Sequence, residues 1–270
     1  MDEELHKRAT KKFQRRKVII KYVNEIWGID LIEMPKDINQ YNENKFIFCV
    51  IDCFSRYAYC VALKNKKAET TIEALKLVVK KAKTTPKKIW ADEGIEFLNK
   101  EWKKYLDDNK ILLYHTYGEH KCSIVERFNR TLKELMFKDF TKTKNYKWDD
   151  RLDKFINIYN NNFHKGVNMT PKEAKNEDNE MEIFNKVLKD DNKIKEKTAK
   201  FKIGDRVRIA IKKNTFEKGY TKNWTDTIYK VVEVKQTKPI TYLLENLEGK
   251  DKGKIILGSF YNEEIQKSRF

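Results

Sequence analysis

The chain has 270 residues, 40% of them hydrophobic and 12% aromatic, which is enough for one large domain and a small one. Lys and Arg number 58 against 41 Asp and Glu, and the net charge of +17 favours a polyanion such as nucleic acid as partner, although a solvated basic surface is the alternative. No run of about 18 apolar residues occurs, which argues against a membrane or secreted protein.

The first part of the chain predicts a basic arm followed by strands. Residues 1–24 are basic and weakly patterned, so we assign them to an arm. Residues 25–34 and 45–64 are rich in Ile, Val, Phe, Tyr and Cys, the composition of buried strands. The break at Ser55 and Arg56 makes the second stretch a hairpin.

Helices and strands then alternate. The apolar spacing predicts helices over 68–83, 97–108, 122–139 and 148–161, and strands over 87–94 and 110–118. An order of several strands followed by alternating helices and strands is typical of a mixed α/β layer fold. We place that domain at 25–176.

The rest of the chain predicts a linker and a small β domain. Residues 177–199 are mostly charged or amide residues, as in a linker. From 200 to 266 the apolar period becomes 2 and the short segments are separated by Gly, Asn and Asp, which predicts a small all-β barrel. Arg206 and Arg208 on its first strand fit contacts to DNA phosphates, with a solvated strand face as the alternative.

The cysteines do not suggest a zinc site. Cys49, Cys53, Cys60 and Cys122 contain no CxxC pair and lie mostly in one apolar stretch. We predict reduced, buried thiols in an intracellular protein.

Three acids stand out. Asp30 lies inside the first strand, Asp92 lies at the end of the strand KIWAD within 87–94, and Glu126 follows after 33 intervening residues near the start of a basic helix. Brought together, such carboxylates suit Mg²⁺ or Mn²⁺, and a pair of these ions can support in-line attack on a phosphodiester. Arg130 and Lys133 follow Glu126 on one helical face and could hold phosphates. Caps and ion pairs, such as Glu126 with Arg130, are the structural alternative.

Several segments, in this order, resemble a known family. They read WGIDLIEM, VIDCFSRYAYCVALK, ADEGIEF, SIVERFNRTLK and YNNNFHKGVNMTPKEA. Together they resemble the catalytic core of retroviral-type integrases, most closely those of Maverick/Polinton transposons and virophage-like elements. The stretch 198–266 is similar to the tail domain of the same enzymes.

The resemblance implies a fold and a chemistry. The fold is a ribonuclease-H-like mixed sheet flanked by helices, followed by an SH3-like or chromodomain-like barrel. Asp30, Asp92 and Glu126 would be the ligands of two Mg²⁺ or Mn²⁺ ions per active site. The activity would be 3′-end processing of element DNA and its strand transfer into host DNA.

The resemblance also implies DNA contacts and partners. Asn129, Arg130 and Lys133 match helix positions that face element ends, and Tyr117 falls in the active-site loop. The partners would be element-end and target DNA, further copies of the chain in a dimer or tetramer and, through the barrel, chromatin. The location would be the nucleus or a viral replication compartment.

The sequence departs from the retroviral pattern at two points. The separation of Asp92 and Glu126 is two residues short of the retroviral spacing, and the second departure lies at the amino terminus. Only His6 and no cysteine precede the core, so the amino-terminal His/His/Cys/Cys zinc module is not found in this chain. Two other functions stay open, namely a domesticated DNA- or chromatin-binding protein that no longer catalyses and an RNase-H-like nuclease without strand transfer. The intact acids favour the enzyme. Asp52, in VIDCFSRY, is interpreted as a turn-capping carboxylate and not as a catalytic acid.

Overall fold

The structure, a computed structural model, describes part of the chain. The described residues are 2–10, 12–15, 18–91, 97, 99–114, 123–192, 198–211, 213 and 220–269. The chain divides into two compact units. The larger unit comprises residues 19–188, and the smaller unit combines 1–18 with 189–270.

The larger unit is built on a five-stranded mixed sheet. Its strands are β1 (Ile26–Glu33), β2 (Phe46–Asp52), β3 (Ala58–Leu63), β4 (Lys88–Ala91) and β5 (Leu112–Tyr114). They lie in the order β3-β2-β1-β4-β5. The first three are antiparallel, whereas β4 runs parallel to β1 and β5 parallel to β4. This confirms the predicted mixed α/β fold and the hairpin.

Helices cover both faces of this sheet. In chain order the helices are α1 (Asp2–His6), α2 (Lys36–Asn39), α3 (Ala68–Ala82), α4 (Lys100–Asp108), α5 (Ser123–Thr143), α6 (Leu152–Asn161), α7 (Pro171–Ala174) and α8 (Glu180–Asn192), of which α1 belongs to the smaller unit. Because side chains alternate along a strand, Ile26 and Ile32 pack with α5 and α6, whereas Trp27 and Ile29 pack with α3 and α4. The central strand is therefore buried on both faces.

Helix α5 is longer than the sequence analysis predicted. It ends at Thr143 and not at 139, because the buried stripe of Leu132 and Met136 continues to Phe140. The helix packs against β1 and β2. It thereby brings its amino-terminal turns to the middle of the sheet.

The smaller unit contains a second five-stranded sheet, entirely antiparallel. Its strands are β6 (Arg206–Ile209), β7 (Tyr229–Lys235), β8 (Thr241–Asn246), β9 (Phe260–Tyr261) and β10 (Ile265–Lys267), in the order β10-β6-β7-β8-β9. Val207, Val231, Tyr242 and Leu244 form its buried centre. The all-β character is confirmed, and an SH3-like or chromodomain-like barrel stays a prediction.

The unit boundaries differ from the predicted domains. Residues 1–18, which we assigned to an arm ending at 24, belong to the smaller unit, where Leu5 is 4% exposed. In the predicted linker 177–199, α8 buries Ile183 in the core of the larger unit. In both segments, a few apolar residues among many charged ones pack into the units. The overall composition of the segments therefore did not predict this packing.

Asp52 has the structural surroundings of a turn-capping residue. Its buried carboxylate accepts hydrogen bonds from the backbone amides of Asn24 (3.1 Å), Phe54 (3.4 Å) and Ser55 (2.9 Å), and from the Ser55 hydroxyl. The Arg56 guanidinium donates to the Cys53 carbonyl. Burial raises the pKa of Asp52, and these hydrogen bonds oppose the rise. Asp52 therefore organises the β2–β3 turn.

The predicted burial of the cysteines is confirmed where it can be followed. Cys49, Cys53 and Cys60 are buried and form no disulfide among the described residues, and Cys122 lies outside those residues. Within the described ranges, no helix combines the length and apolar character needed to cross a membrane.

Candidate functional site

Asp30 lies on the central strand, on the face covered by α5. Its Oδ1 accepts a hydrogen bond of 2.8 Å from the Leu31 amide, and its Oδ2 accepts one of 2.7 Å from Asn129 Nδ2. The residue opposite it on β2 is Cys49. Asp30 is partly buried, and these two donors orient its carboxylate.

Asn129 links this carboxylate to α5. Its side chain is 7% exposed, and its Oδ1 is buried with no hydrogen-bond donor among the described residues. We predicted that Asn129 faces DNA, but its observed contact is with Asp30. The signal for a role near the acids was the position of Asn129 three residues after Glu126, which puts both residues on one helix face.

Glu126 therefore lies one helical turn from the residue that holds Asp30. It is exposed and in the first turn of α5, where the unpaired backbone amides of the helix favour a negative charge. The structure thus brings two of the three predicted acids to the same edge of the core.

Basic side chains accompany these acids. Arg130 and Lys133 are exposed on α5, as the prediction of phosphate contacts requires. Burial, the Cys60 thiol and the Asp30 carboxylate raise the pKa of the Cys49 thiol, and Lys133 opposes this effect. Cys49 lies opposite Asp30 and packs in the same core cluster as Leu132 and Met136 of α5, the helix that carries Lys133.

Two predicted site residues lie outside the described residues, namely Asp92 and Tyr117. Strand β4 is described as far as Ala91, which pairs with Ile29 of β1. Across the part of the chain that is described, no three His, Cys, Asp or Glu side chains are grouped as metal ligands. The carboxylates of Asp30 and Glu126 are nevertheless the hard oxygen donors that Mg²⁺ and Mn²⁺ prefer.

The two predicted DNA contacts of the smaller unit differ sharply. Arg206 is exposed on β6, as a phosphate contact must be. Arg208 is 1% exposed, and its guanidinium faces Glu4 and the carbonyls of Thr225 and Asp226. The prediction that Arg208 binds DNA is wrong for this structure, because these partners occupy the group inside the unit.

A comparison with family models bears directly on the larger unit. Residues 21–118 match the Integrase core domain. The match to this integrase core includes Asp30 and Asp92 and ends before Glu126. It supports the integrase-like interpretation of the mixed sheet.

A curated relative points to the same class. A transposon-derived protein of Caenorhabditis elegans, described as uncharacterized, is 37% identical over 184 residues, which are 68% of this chain and 61% of that protein. The chain thus spans 61% of the length of this relative. The closer likeness to Maverick/Polinton or virophage elements stays a prediction.

Solved structures show that the fold is shared with an integrase assembly. A chain from the cryo-EM structure of the simian T-cell lymphotropic virus intasome in complex with PP2A regulatory subunit B56 gamma matches with a TM-score of 0.68 and 15% identity, over 98% of this chain and 89% of that chain. The HTLV-2 integrase catalytic core domain in complex with magnesium, in its trimeric form, is 22% identical over 57% of this chain and 98% of that chain, with a TM-score of 0.48. The second score adds nothing to the fold assignment.

Proposed function

We propose that this chain is a DNA integrase that processes the 3′ ends of element DNA and transfers them into host DNA. One observation carries the proposal. Asn129, one turn from Glu126 on α5, donates its hydrogen bond to Asp30 in the middle of a sheet that matches the integrase core domain. This contact supports a site in which Asp30 and Glu126 act together, with the basic side chains of α5 beside them.

The acids would hold the metal. Asp30 and Glu126, with Asp92 as the third expected ligand, would bind two Mg²⁺ or Mn²⁺ ions per active site. When bound, such ions activate the attacking oxygen and stabilise the leaving oxygen in a phosphodiester displacement. Asn129 orients Asp30 through its amide, so this ligand would be fixed before any ion arrives.

The basic residues would hold DNA. Arg130 and Lys133 would contact phosphates of the element end, because they follow Glu126 along the exposed side of the helix. Tyr117 would touch the DNA from its loop, and Arg206 would add a phosphate contact from the smaller unit. These contacts orient the duplex and are not specific for sequence.

The partners follow from the reaction. Element-end DNA and target DNA are the substrates, and bringing two ends together requires more than one copy of the chain. Chromatin is proposed as a further partner of the smaller unit. The reaction would take place in the nucleus or in a viral replication compartment.

A joining assay tests this function without knowledge of the natural end sequence. A panel of end-labelled DNA duplexes is incubated with supercoiled plasmid, the protein and Mg²⁺ or Mn²⁺. We expect label to become covalently joined to the plasmid with the parent chain, and no joining with Asp30→Asn or Glu126→Gln. DNA binding by both variants should be retained, because neither change removes a cation.

The same assay separates the alternative functions. Relaxed plasmid without label would indicate a nuclease that lacks strand transfer. DNA binding with neither relaxation nor joining in any duplex would indicate a retired integrase. The exposed Asp37→Asn is the matched control and should react like the parent chain.

A further inference from the structure

The smaller unit holds a short peptide of the chain itself, residues 4–7. The Leu5 carbonyl accepts hydrogen bonds from the backbone amides of Asn223 (2.7 Å) and Trp224 (3.2 Å). The side chains of the same two residues continue the row, since Asn223 Nδ2 donates to the His6 carbonyl (3.0 Å) and Trp224 Nε1 to the Lys7 carbonyl (2.8 Å). Donors of one loop thus contact three consecutive backbone carbonyls.

Glu4 is recognised through both its carbonyl and its carboxylate. Gln266 Nε2 donates to the carbonyl at 3.1 Å. The carboxylate accepts from the Arg269 amide at 3.0 Å and lies 3.4 Å from Arg208 Nε and 3.5 Å from Ser268 Oγ. Burial acts to raise the pKa of Glu4, but the Arg269 amide and the Arg208 guanidinium outweigh it and hold the pKa below its ordinary value. The surface therefore selects an ionised acid.

Only two side chains of this segment are buried. Glu4 is 7% and Leu5 4% exposed, whereas residues 6–8 are exposed. Helix α1 has five residues, too few for stability in isolation. Few buried anchors, a row of backbone hydrogen bonds and exposed neighbours are the features of a bound peptide and not of a core element.

Trp224 fits the same interpretation. From the sequence, Tyr220 and Trp224 could form an aromatic cage for a methylated lysine, although burial in the core of the barrel is the interpretation that we favour. Trp224 is 4% exposed and its indole donates to the Lys7 carbonyl, whereas Tyr220 is 72% exposed. Because Trp224 is buried and Tyr220 is exposed, the two rings do not form a cage. The indole of Trp224 binds the peptide backbone instead.

We propose that Arg208, Asn223, Trp224 and Gln266 form a binding site for acidic peptides with Glu followed by Leu, here called the peptide site. Residues 4–7 occupy it in the structure as an exchangeable ligand, and the same residues of a second copy of the chain are its other occupant. A second copy presents the same carboxylate, leucine and carbonyls, so every contact is reproduced, as in domain swapping. This proposal is independent of the integrase activity.

A binding experiment tests the chemistry of the peptide site. The full-length variant Glu4→Gln/Leu5→Ala, in which the internal ligand is weakened, is titrated with a fluorescent peptide of residues 2–15 and followed by anisotropy. We expect binding at least about tenfold tighter than to the parent chain, whose own segment competes at high effective concentration. A peptide with Glu4→Gln/Leu5→Ala should bind at least about tenfold more weakly than the unchanged peptide. Equal binding of both peptides, or none to a folded variant, would overturn the proposal.

A second experiment avoids any weakening of the site. A protease sequence replaces residues 8–12 of the full chain, and the cut protein is prepared with and without heavy isotopes and then mixed. Native mass spectrometry should find light peptides on heavy chains while circular dichroism stays unchanged. If every peptide stays with its original chain, or leaves only when the smaller unit unfolds, the segment is a permanent part of the fold and the proposal fails.

Discussion

Asn129 Nδ2 donates a hydrogen bond of 2.7 Å to Oδ2 of Asp30, and this bond joins α5 to the central strand of the sheet. Asp30 also accepts a hydrogen bond from the neighbouring amide of Leu31. The orientation of the carboxylate therefore depends on the position of a helix that also carries Glu126. Any shift of α5 would change both acids together.

The first prediction concerns this bond. Asn129→Ala should weaken activation by Mn²⁺ by about 10- to 100-fold, the usual effect of losing a group that orients a metal ligand. The free energy of unfolding should fall by only about 1 kcal/mol. The measurements are activity against Mn²⁺ concentration and urea denaturation. Thr131→Ala is the matched control, since its hydroxyl donates only to the Arg127 carbonyl of the same helix. An unchanged Mn²⁺ dependence in Asn129→Ala would show that Asp30 does not need this partner.

The second prediction concerns DNA affinity. Arg130→Ala and Lys133→Ala should each weaken binding to any duplex and lower the slope of log K against log[salt] by about 0.9 per lost phosphate contact. Binding isotherms at several salt concentrations measure this slope. Lys80→Ala removes an equal charge from α3, on the opposite side of the sheet from α5, and should leave the slope nearly unchanged. Equal slopes in all three variants would argue against a DNA-binding face on α5.

The third prediction separates a structural acid from a catalytic one. Asp52→Ala would leave the buried amides of Asn24, Phe54 and Ser55 without their acceptor. The free energy of unfolding should fall by about 3 kcal/mol or more, since each unsatisfied buried donor costs about 1–3 kcal/mol. Urea denaturation measures the loss, and the exposed Asp37→Ala should change stability by less than about 0.5 kcal/mol. A variant with full stability and no activity would place Asp52 in the reaction instead.

The fourth prediction concerns pH. His164 accepts a hydrogen bond of 3.1 Å at Nδ1 from the Gly166 amide, and burial, followed by the charges of Arg56, Arg127 and Lys186, lowers its pKa below 6.5. The unfolded chain therefore binds this proton more readily than the folded one. The stability of the larger unit should fall as the pH drops below 6.5 and level off below the lowered pKa.

The His164→Asn variant checks the source of this effect. Asparagine keeps an acceptor for the Gly166 amide but does not titrate. The unfolding midpoint of this variant should therefore vary less between pH 7.5 and 5.5 than that of the parent. The variation that remains comes from other titratable groups and is common to both proteins. Tryptophan fluorescence follows mainly the larger unit, which contains Trp27, Trp90, Trp102 and Trp148, whereas the fifth tryptophan, Trp224, lies in the smaller unit. His6→Asn, an exposed histidine of the smaller unit, should keep the parent's pH dependence.

Local patterns made much of the larger unit predictable. The strand around Asp30, the hairpin turn at Asp52 and the helix that begins at Ser123 each leave a signal within a few residues, through apolar period or turn chemistry. The sequence also contained a signal for the contact of Asn129 with Asp30, because Asn129 follows Glu126 at helical spacing and both therefore lie on one helix face. The exposure of Asn129 was misjudged because an asparagine on a basic helix looks like a surface residue.

Pairings between distant residues could not be predicted in this way. Arg208 lies on a strand with alternating polar residues, and the partner that buries it, Glu4, is 204 residues away. A single sequence contains no signal that connects such positions. The burial of Leu5 and the membership of residues 1–18 in the smaller unit were missed for the same reason.

The bond between Glu4 and the Arg269 amide has a consequence for biosynthesis. Residues 4–7 leave the ribosome before residues 208–269, to which the groups that bind them belong. The larger unit, residues 19–188, is complete in the meantime and can fold during translation. The Glu-Leu segment of a nascent chain is therefore available to finished copies before its own peptide site has been made.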